Sequence, residues 1–414
     1  MNTATRDFIE KHLKDDVRSL ALSKFPEDVD KTLALNQIEA RQILSKKVLS
    51  WASNPDLRFP KHLSIEQCSS ELTAKYKVSI IEGGDVFVDL TGGLGIDSYF
   101  LSQKFKTSYY VENQKELCDL AEHNFGVLGR KITVVNSDAE SFLNDLTSRR
   151  DNARFVLYLD PARRDVYNRK MVSLHDCSPD VIELQRNLIQ NPIETRFIAY
   201  QTLVKQILIK ASPMLDISLI TNEMQNISEI HIVSVKNECK EILIKIELGF
   251  EGEIKYFCVD LNPVETRHGT SLQYTENDEK SAIPSYSSNI QKYLYEPNAS
   301  LMKSGAFKLI SQRFAIEKLH VNSHLYTSDN LVSDFPGRIF EVICFAPFNK
   351  KIKKELLKNV SEASVAIRNF PLSANDLRKS LNLKESDKNY VFGTTTMGEN
   401  KIIILCRKYN PLTQ

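Results

Sequence analysis

The period of the apolar positions changes near residue 84. Before it, Ile9, Leu13, Val17 and Leu20 recur at spacings of four and three, and Ile38, Leu44 and Val48 continue an apolar face. Residues 1–77 therefore read as helical. Ser64 with Gln67 three residues on predicts a capping box that opens a helix running to about Tyr76. From Asp85 onward, short β-type apolar runs alternate with amphipathic stretches: Val86–Leu90, Thr107–Val111, Lys131–Val135, Arg154–Leu159 and Gln206–Lys210. That alternation predicts a parallel, doubly wound sheet. Ile230–Val235 and Glu241–Leu248 are separated by five residues, too few for a helical crossover, so they are predicted to pair antiparallel. Residues 265–298 are polar and read as a linker or irregular excursion. Beyond them, helix Ala299–Arg313, strand Glu341–Phe345, helix Lys350–Leu357, strand Ser364–Asn369, helix Asn375–Leu381 and a hairpin Val391–Lys408 turning at Gly398-Glu399-Asn400 predict α+β units.

A length of 414 residues fits two to four folded units. Charge changes the picture only locally. Overall, 54 Lys+Arg against 53 Asp+Glu leave a net +1, so no global field draws the molecule onto nucleic acid or a membrane. Residues 349–414, however, hold 13 basic and 6 acidic residues, a net +7 that leaves −6 for residues 1–348. Such a basic region predicts a phosphate-binding appendage. Its patch would comprise Lys350, Lys351, Lys353 and Lys354 on one helix, widened by Arg368, Arg378 and Lys379. No apolar run approaches the length of a membrane-spanning helix, and Met1–Asp16 lacks the apolar stretch of a signal peptide. Seven scattered cysteines without a CxxC pair predict reduced thiols in a cytoplasmic protein, with neither a disulfide framework nor a metal site.

Glycine marks where chemistry belongs. Of 14 glycines, five (Gly83, Gly84, Gly92, Gly93 and Gly95) fall within 13 residues. The first predicted strand runs into Asp89 and then Leu90-Thr91-Gly92-Gly93-Leu94-Gly95, and the next three end at Glu112, Asp138 and Asp160. Spacings of 23, 26 and 22 residues are one βα unit each, so four strands deliver a carboxylate to one edge of the sheet, where α/β folds bind ligands. The dinucleotide fingerprint needs a third glycine where Ser98 stands, and no Walker lysine follows. A carboxylate at Asp89 repels a pyrophosphate but suits an ammonium group. Glu112 can accept ribose hydroxyls and Asp138 an adenine amino group. The expected ligand is adenosine joined to something small and cationic.

This constellation resembles the class I S-adenosylmethionine-dependent methyltransferases. Asp89-Leu90-Thr91-Gly92-Gly93-Leu94-Gly95 matches their D-x-G-x-G-x-G loop except that Thr91 replaces the first glycine. The resemblance implies S-adenosylmethionine as cofactor, cradled at Gly92, Gly93 and Gly95. Glu112 would then hold the ribose and Asp138 the adenine, with Asp89 and the Thr91 hydroxyl at the methionyl end. Ser64–Thr73 resembles the upstream segment that touches the methionine carboxylate, which assigns Gln67 and Ser69 there. Leu159-Asp160-Pro161-Ala162-Arg163-Arg164 resembles the (N/D)-P-P-(Y/F/W) motif of enzymes that methylate amino or amide nitrogen. Asp160 and the Pro161 carbonyl would accept the N–H bonds of the target and aim its lone pair. Arg163 replaces the aromatic residue of that motif. Tyr167 is a candidate for stacking on a base in its place, and Arg163 with Arg164 would suit phosphates.

The strings Asp160–Asp165, Asp176–Asp180, Lys210–Pro213, Tyr295–Ser300 and Arg368–Pro371 resemble, more narrowly, bacterial methyltransferases with C-terminal ferredoxin-like and THUMP-like domains. The implied fold is an α/β, Rossmann-like, seven-stranded core at 78–264 behind a helical N-terminal region at 1–77. A linker with a ferredoxin-like domain at 265–345 and a THUMP-like domain at 346–414 would follow. THUMP-type domains imply RNA, tRNA or rRNA, as partner, with Arg368 among the substrate-binding residues. A protein amide, a small molecule or a non-catalytic RNA-binding role are the competing readings.

Overall fold

The computed structural model describes residues 1–60, 62–148, 153–163, 175, 177–190, 204–262, 270–349 and 356–410. The chain divides into two compact units. The first takes Met1–Ile230 and Glu241–Gly252, and the second His231–Lys240, Glu253–Asn262 and Arg267–Gln414.

Six helices open the first unit: α1 Thr3–His12, α2 Val17–Ala21, α3 Lys31–Leu44, α4 Leu49–Ala52, α5 His62–Gln67 and α6 Glu71–Ile80. The helix expected to open at Ser64 is instead two helices. The second is capped by Ser70, whose hydroxyl accepts the Thr73 N–H. Strands β1 Gly84–Asp89, β2 Phe105–Glu112, β3 Thr133–Asn136, β4 Phe155–Leu159 and β5 Val204–Ala211 are joined in parallel. The hairpin strands β6 Ile227–Val235 and β7 Glu238–Ile246 close the series, with β7 antiparallel to β5. Within a nine-stranded sheet, two strands more than expected, these seven stand in the order β6-β7-β5-β4-β1-β2-β3. Strand β4 is buried at all five positions, the continuous apolar run that a parallel sheet covered on both faces requires.

Helices α7 Ile96–Leu101, α8 Lys115–Val127 and α9 Ala139–Ser148 follow the first three strands, and α10 Val181–Gln190 and α11 Ile217–Glu223 come before and after β5. Helices α1, α2 and the start of α3 form a cluster of their own around Ile9, Leu20 and Ile38, whereas the end of α3 and helices α4–α6 join the core of the sheet. Leu44, Val48, Trp51, Phe59 and Ala74 pack in one cluster with Leu94, Ile96 and Phe100, which lie in the glycine loop and α7. Register sets Asp89 level with Tyr110 on one side and Tyr158 on the other, so the carboxyl ends of β1, β2 and β4 form a nearly even rim.

Structure also fills the expected polar excursion. Strand β8 Lys255–Leu261 pairs antiparallel with β9 Thr270–Thr275, helix α12 Glu276–Ser281 follows, and β10 runs Tyr293–Pro297. The helix expected over Ala299–Arg313 is broken at Gly305, which adopts φ +79, into α13 Ala299–Ser304 and α14 Phe307–Phe314. The second unit carries a seven-stranded sheet built on β10, β11 Glu317–Lys318, β12 Tyr326–Ser328, β13 Gly337–Pro347, β14 Ser364–Arg368, β15 Tyr390–Thr395 and β16 Lys401–Lys408. Helix α15 Ala374–Leu381 links the parallel pair β14 and β15. The helix expected at Lys350–Leu357 lies largely outside the described residues.

Candidate active site

Asp89 ends β1 fully buried. One oxygen accepts the Thr91 N–H at 3.0 Å and the other the Ser98 hydroxyl. Burial pushes its carboxyl up to about 7, with the two hydrogen bonds opposing that rise. Both oxygens are thus engaged inside the loop. Ser98, at the position of the missing third glycine, is the donor that fastens the loop to α7.

The glycines serve two purposes. A Cβ on Gly92 would stand 2.2 Å from the Tyr110 ring, and one on Gly95 would stand 2.9 Å from Phe125. Both are required by packing. Gly93 adopts φ +52 with only the Thr91 carbonyl oxygen, at 3.8 Å, near its missing Cβ, so it is required by the backbone and faces open space. Glu112 braces this turn. Its Oε2 accepts the Gly93 N–H at 3.1 Å and its Oε1 the Gln114 N–H at 2.9 Å. An ionised carboxylate offers about four acceptor sites, so two remain for hydroxyl donors. Asp138 is exposed and caps α9, accepting the Ser141 N–H and hydroxyl, each at 2.8 Å. Those bonds hold its carboxyl below the ordinary range.

Thr91 joins two loops. Its hydroxyl oxygen accepts the Asp160 N–H at 2.6 Å, tying the glycine loop to the end of β4. The Asp160 side chain is 36% exposed, and its Oδ2 accepts from the Lys210 ammonium at 2.6 Å. Lys210 stands near the end of β5. Burial alone would lower its pKa, but the charges of Asp160, Asp97 and Glu241 outweigh that and raise it above the ordinary lysine range. Pro161 follows Asp160, and Ala162–Arg163 makes a two-residue ladder with Cys177–Ser178. The side chain of Arg163, all of Arg164 and Tyr167 lie outside what is described.

Beneath the rim lies a sealed cluster. Lys77 of α6 donates to Ser69 Oγ at 3.0 Å, Asp97 Oδ1 at 3.2 Å and Glu241 Oε2 at 3.0 Å. Asp97 Oδ2 accepts from the Ser69 hydroxyl at 2.6 Å and the Tyr158 hydroxyl at 2.7 Å. Burial pushes Asp97 up, but Lys77, Lys210 and the two hydroxyls more than offset it, and it lies below the ordinary range. For Glu241 burial wins and the carboxyl is raised. Ser69 is thus buried and engaged, whereas Gln67 ends α5 with its side chain exposed. In the second unit, Arg368 donates to the buried Glu296 at 2.7 Å, and Arg338 donates to its other oxygen at 2.7 Å. Two of the recognisable strings, Tyr295–Ser300 and Arg368–Pro371, meet in that bond.

These residues fit an adenosyl cofactor: a turn open above Gly93 and, beside it, an acid with spare acceptor sites. A methyltransferase from Porphyromonas gingivalis W83, so assigned by inference, is 31% identical, with 98% of each chain covered and a TM-score of 0.83. Family models match a ferredoxin-like domain at residues 293–336 and a THUMP domain-like region at 337–408. The chain belongs to this family of class I S-adenosylmethionine-dependent methyltransferases. Fainter likenesses include TrmK of M. capricolum with S-adenosyl-homocysteine (12% identity, 44% of this chain, 70% of that one, TM-score 0.30). Another is an rRNA methylase from Streptococcus thermophilus (13% identity, 43% and 94% covered, TM-score 0.29). No curated protein matches.

The methyltransferase therefore uses S-adenosylmethionine, on a core whose strand order carries the terminal antiparallel hairpin expected for the class. Among the described residues no helix is long and apolar enough to cross a membrane, and no group of His, Cys, Asp or Glu could hold a metal. In the sequence Lys210 shows only as the end of an apolar run, which fits a solvated or a functional lysine alike; the structure makes it an ion-pair partner. Sequence reasoning did not single out Lys77, Asp97, Tyr158 and Glu241. For the three charged ones the visible signal is a lysine or acid interrupting an apolar face; Tyr158 lies inside an apolar run and gives none.

Proposed function

We propose that this methyltransferase acts on RNA, methylating an amino nitrogen of a base in tRNA or rRNA. The observation that carries the reading is the Asp160-Pro161 turn, hydrogen-bonded through Thr91 to the glycine loop. A THUMP-like region in the same chain supports RNA as the partner, as does the net +7 of residues 349–414. Gly92, Gly93 and Gly95 floor the cofactor site in this reading, Glu112 takes the ribose hydroxyls and Asp138 the adenine edge. Gln67 and Thr91 serve the methionyl end, and Asp89 and Ser69, buried and already hydrogen-bonded, support it from beneath. When bound, S-adenosylmethionine would supply a methyl on a sulfonium, which the acceptor's lone pair would take as the C–S pair stayed with sulfur and the acceptor's proton passed to water. Asp160 and the Pro161 carbonyl hold the acceptor amine, which requires the base to leave its stack, while Arg163, Arg164 and Arg368 meet phosphates.

The test compares modified nucleosides by mass spectrometry in RNA from cells with and without the protein, then restores the missing one in vitro. Asp160→Ala is expected to bind S-adenosylmethionine normally and to turn over on the order of 100-fold more slowly. Methyl label that enters protein and no RNA would reject the reading.

A further inference from the structure

The rim presents Asp160 in a half-occupied state. Lys210 holds Oδ2 at 2.6 Å, while Oδ1 has no donor among the described residues. The lysine's side chain is only 14% exposed and the acid's is 36% exposed, so the cation lies deeper than the carboxylate it holds and a substrate can reach the acid. Asp97 and Glu241 also lie near Lys210, but it donates to neither: Lys77 bonds Asp97 and one Glu241 oxygen, and the other Glu241 oxygen has no partner among the described residues. The main chain of Asp160 is fixed independently by Thr91. An acid with its main-chain N–H tied, one oxygen tied and no described donor on the other is an acceptor with a defined direction.

Resting on the RNA reading above, we infer that Lys210 is a positioning residue for methyl transfer. It pins Asp160 so that one oxygen is aimed at an N–H of the target amine. The fixed ammonium beside that acceptor also selects an uncharged, planar amino group over an alkylammonium. The charge argument is direct. A protonated alkylamine has no lone pair to donate, and bringing its charge to Asp160 sets it against Lys210 at close range. A nucleobase amino group is neutral and needs only an acceptor. Lys210 itself neither touches the cofactor loop nor takes a proton in this scheme. Its whole effect passes through Asp160.

The experiment uses the full chain, total RNA from cells lacking the protein, and labelled S-adenosylmethionine. Lys210→Met is expected to lower kcat on the order of 100-fold while S-adenosylmethionine affinity by calorimetry and KM for RNA stay within about twofold. Lys210→Arg should recover part of the loss. The double variant Asp160→Ala with Lys210→Met should be no slower than Asp160→Ala alone, the non-additivity expected of a residue acting through another. Should Lys210→Met not fold, as judged by its thermal melt, Lys210→Arg and Asp160→Asn complete the same cycle. Wild-type kcat in Lys210→Met, or additive losses in the double variant, overturns the positioning role. Wild-type labelling of poly-L-lysine overturns the selection of an uncharged amine. Failure of the RNA reading is separate: the wild type then labels protein and no RNA, and the same variants are compared on that acceptor.

Discussion

Two lysines stand at the same end of the first unit's sheet, and their surroundings differ in one respect. Lys77 is fully buried with partners that are themselves buried: Ser69, Asp97 and Glu241. Lys210 is almost as deep, but its partner Asp160 reaches solvent. The same ion-pair chemistry therefore has two uses. In the sealed cluster every lone pair spent on a neighbour is lost to ligands, and the charges bind α6, α7, β4 and β7 together. In the open pair one oxygen stays available. The largest expected effect tests this difference. Lys77→Met removes the cation directly bonded to two buried acids and should cost about 3–5 kcal/mol in denaturant unfolding, since an uncompensated buried charge remains. Within the cluster, Asp97→Asn should cost more than Glu241→Gln. Asp97 is held ionised by cations and hydroxyls, whereas burial already pushes Glu241 toward its neutral form. Equal losses would mean that the two acids share the lysine's charge evenly.

Asp89 extends the comparison to an acid with no cation bonded to it. Its carboxyl is raised from 3.8 to about 7 by burial. Between those values the folded chain keeps a proton that the unfolded chain has released. This contribution is complete below about pH 4 and is lost as pH rises toward 7, by about 4 kcal/mol. Asp89→Asn stays neutral at every pH. Its stability relative to the wild type should therefore climb from pH 4 to pH 7 and then level, as read from paired melts across that range. A flat difference would show that the Ser98 and Thr91 hydrogen bonds already compensate the buried charge.

What the chain discloses follows the range of each interaction. The glycine loop and the acids that end β1, β2 and β4 are legible because they recur once per βα unit, a local regularity. Asp138 keeps the rhythm too, although its strand is only four residues long and it caps α9 instead of ending β3. The Lys210–Asp160 pair spans 50 positions and Lys77–Glu241 spans 164, and no periodicity links residues so far apart. Helix α12 escaped for another reason. It buries none of its residues and is held by a capping box between Thr275 and Asp278, so an apolar-face search has nothing to find. Strand β9 presents only Leu272 and Tyr274 to the interior, too short an alternation to stand out in a polar stretch. The Ser64 cap failed against a competitor. Ser70 offers the same chemistry six residues later, where the Ser70 hydroxyl and the Thr73 N–H meet.

Thr91 is the joint between the sealed and the open regions, and it carries the smallest effect expected here. It replaces a motif glycine, and its hydroxyl oxygen accepts the Asp160 N–H at 2.6 Å. Thr91→Val keeps the shape and removes the acceptor. Because Asp160 is partly exposed, water can reach its freed N–H, so the stability cost should sit near the low end for a lost hydrogen bond, about 1 kcal/mol. The cost in rate should be larger than that figure implies. Asp160 would keep Lys210 but lose its main-chain anchor, letting the acceptor oxygen drift from its line to the target. Thr91→Ser, which retains the hydroxyl, should behave like the wild type, whereas Thr91→Gly should resemble Thr91→Val in turnover while gaining backbone freedom. Single-turnover rates for the three variants, set beside their melting curves, separate the two effects. If Thr91→Val loses stability and turnover in equal proportion, the bond is a fold contact alone, and the aim of Asp160 rests on Lys210.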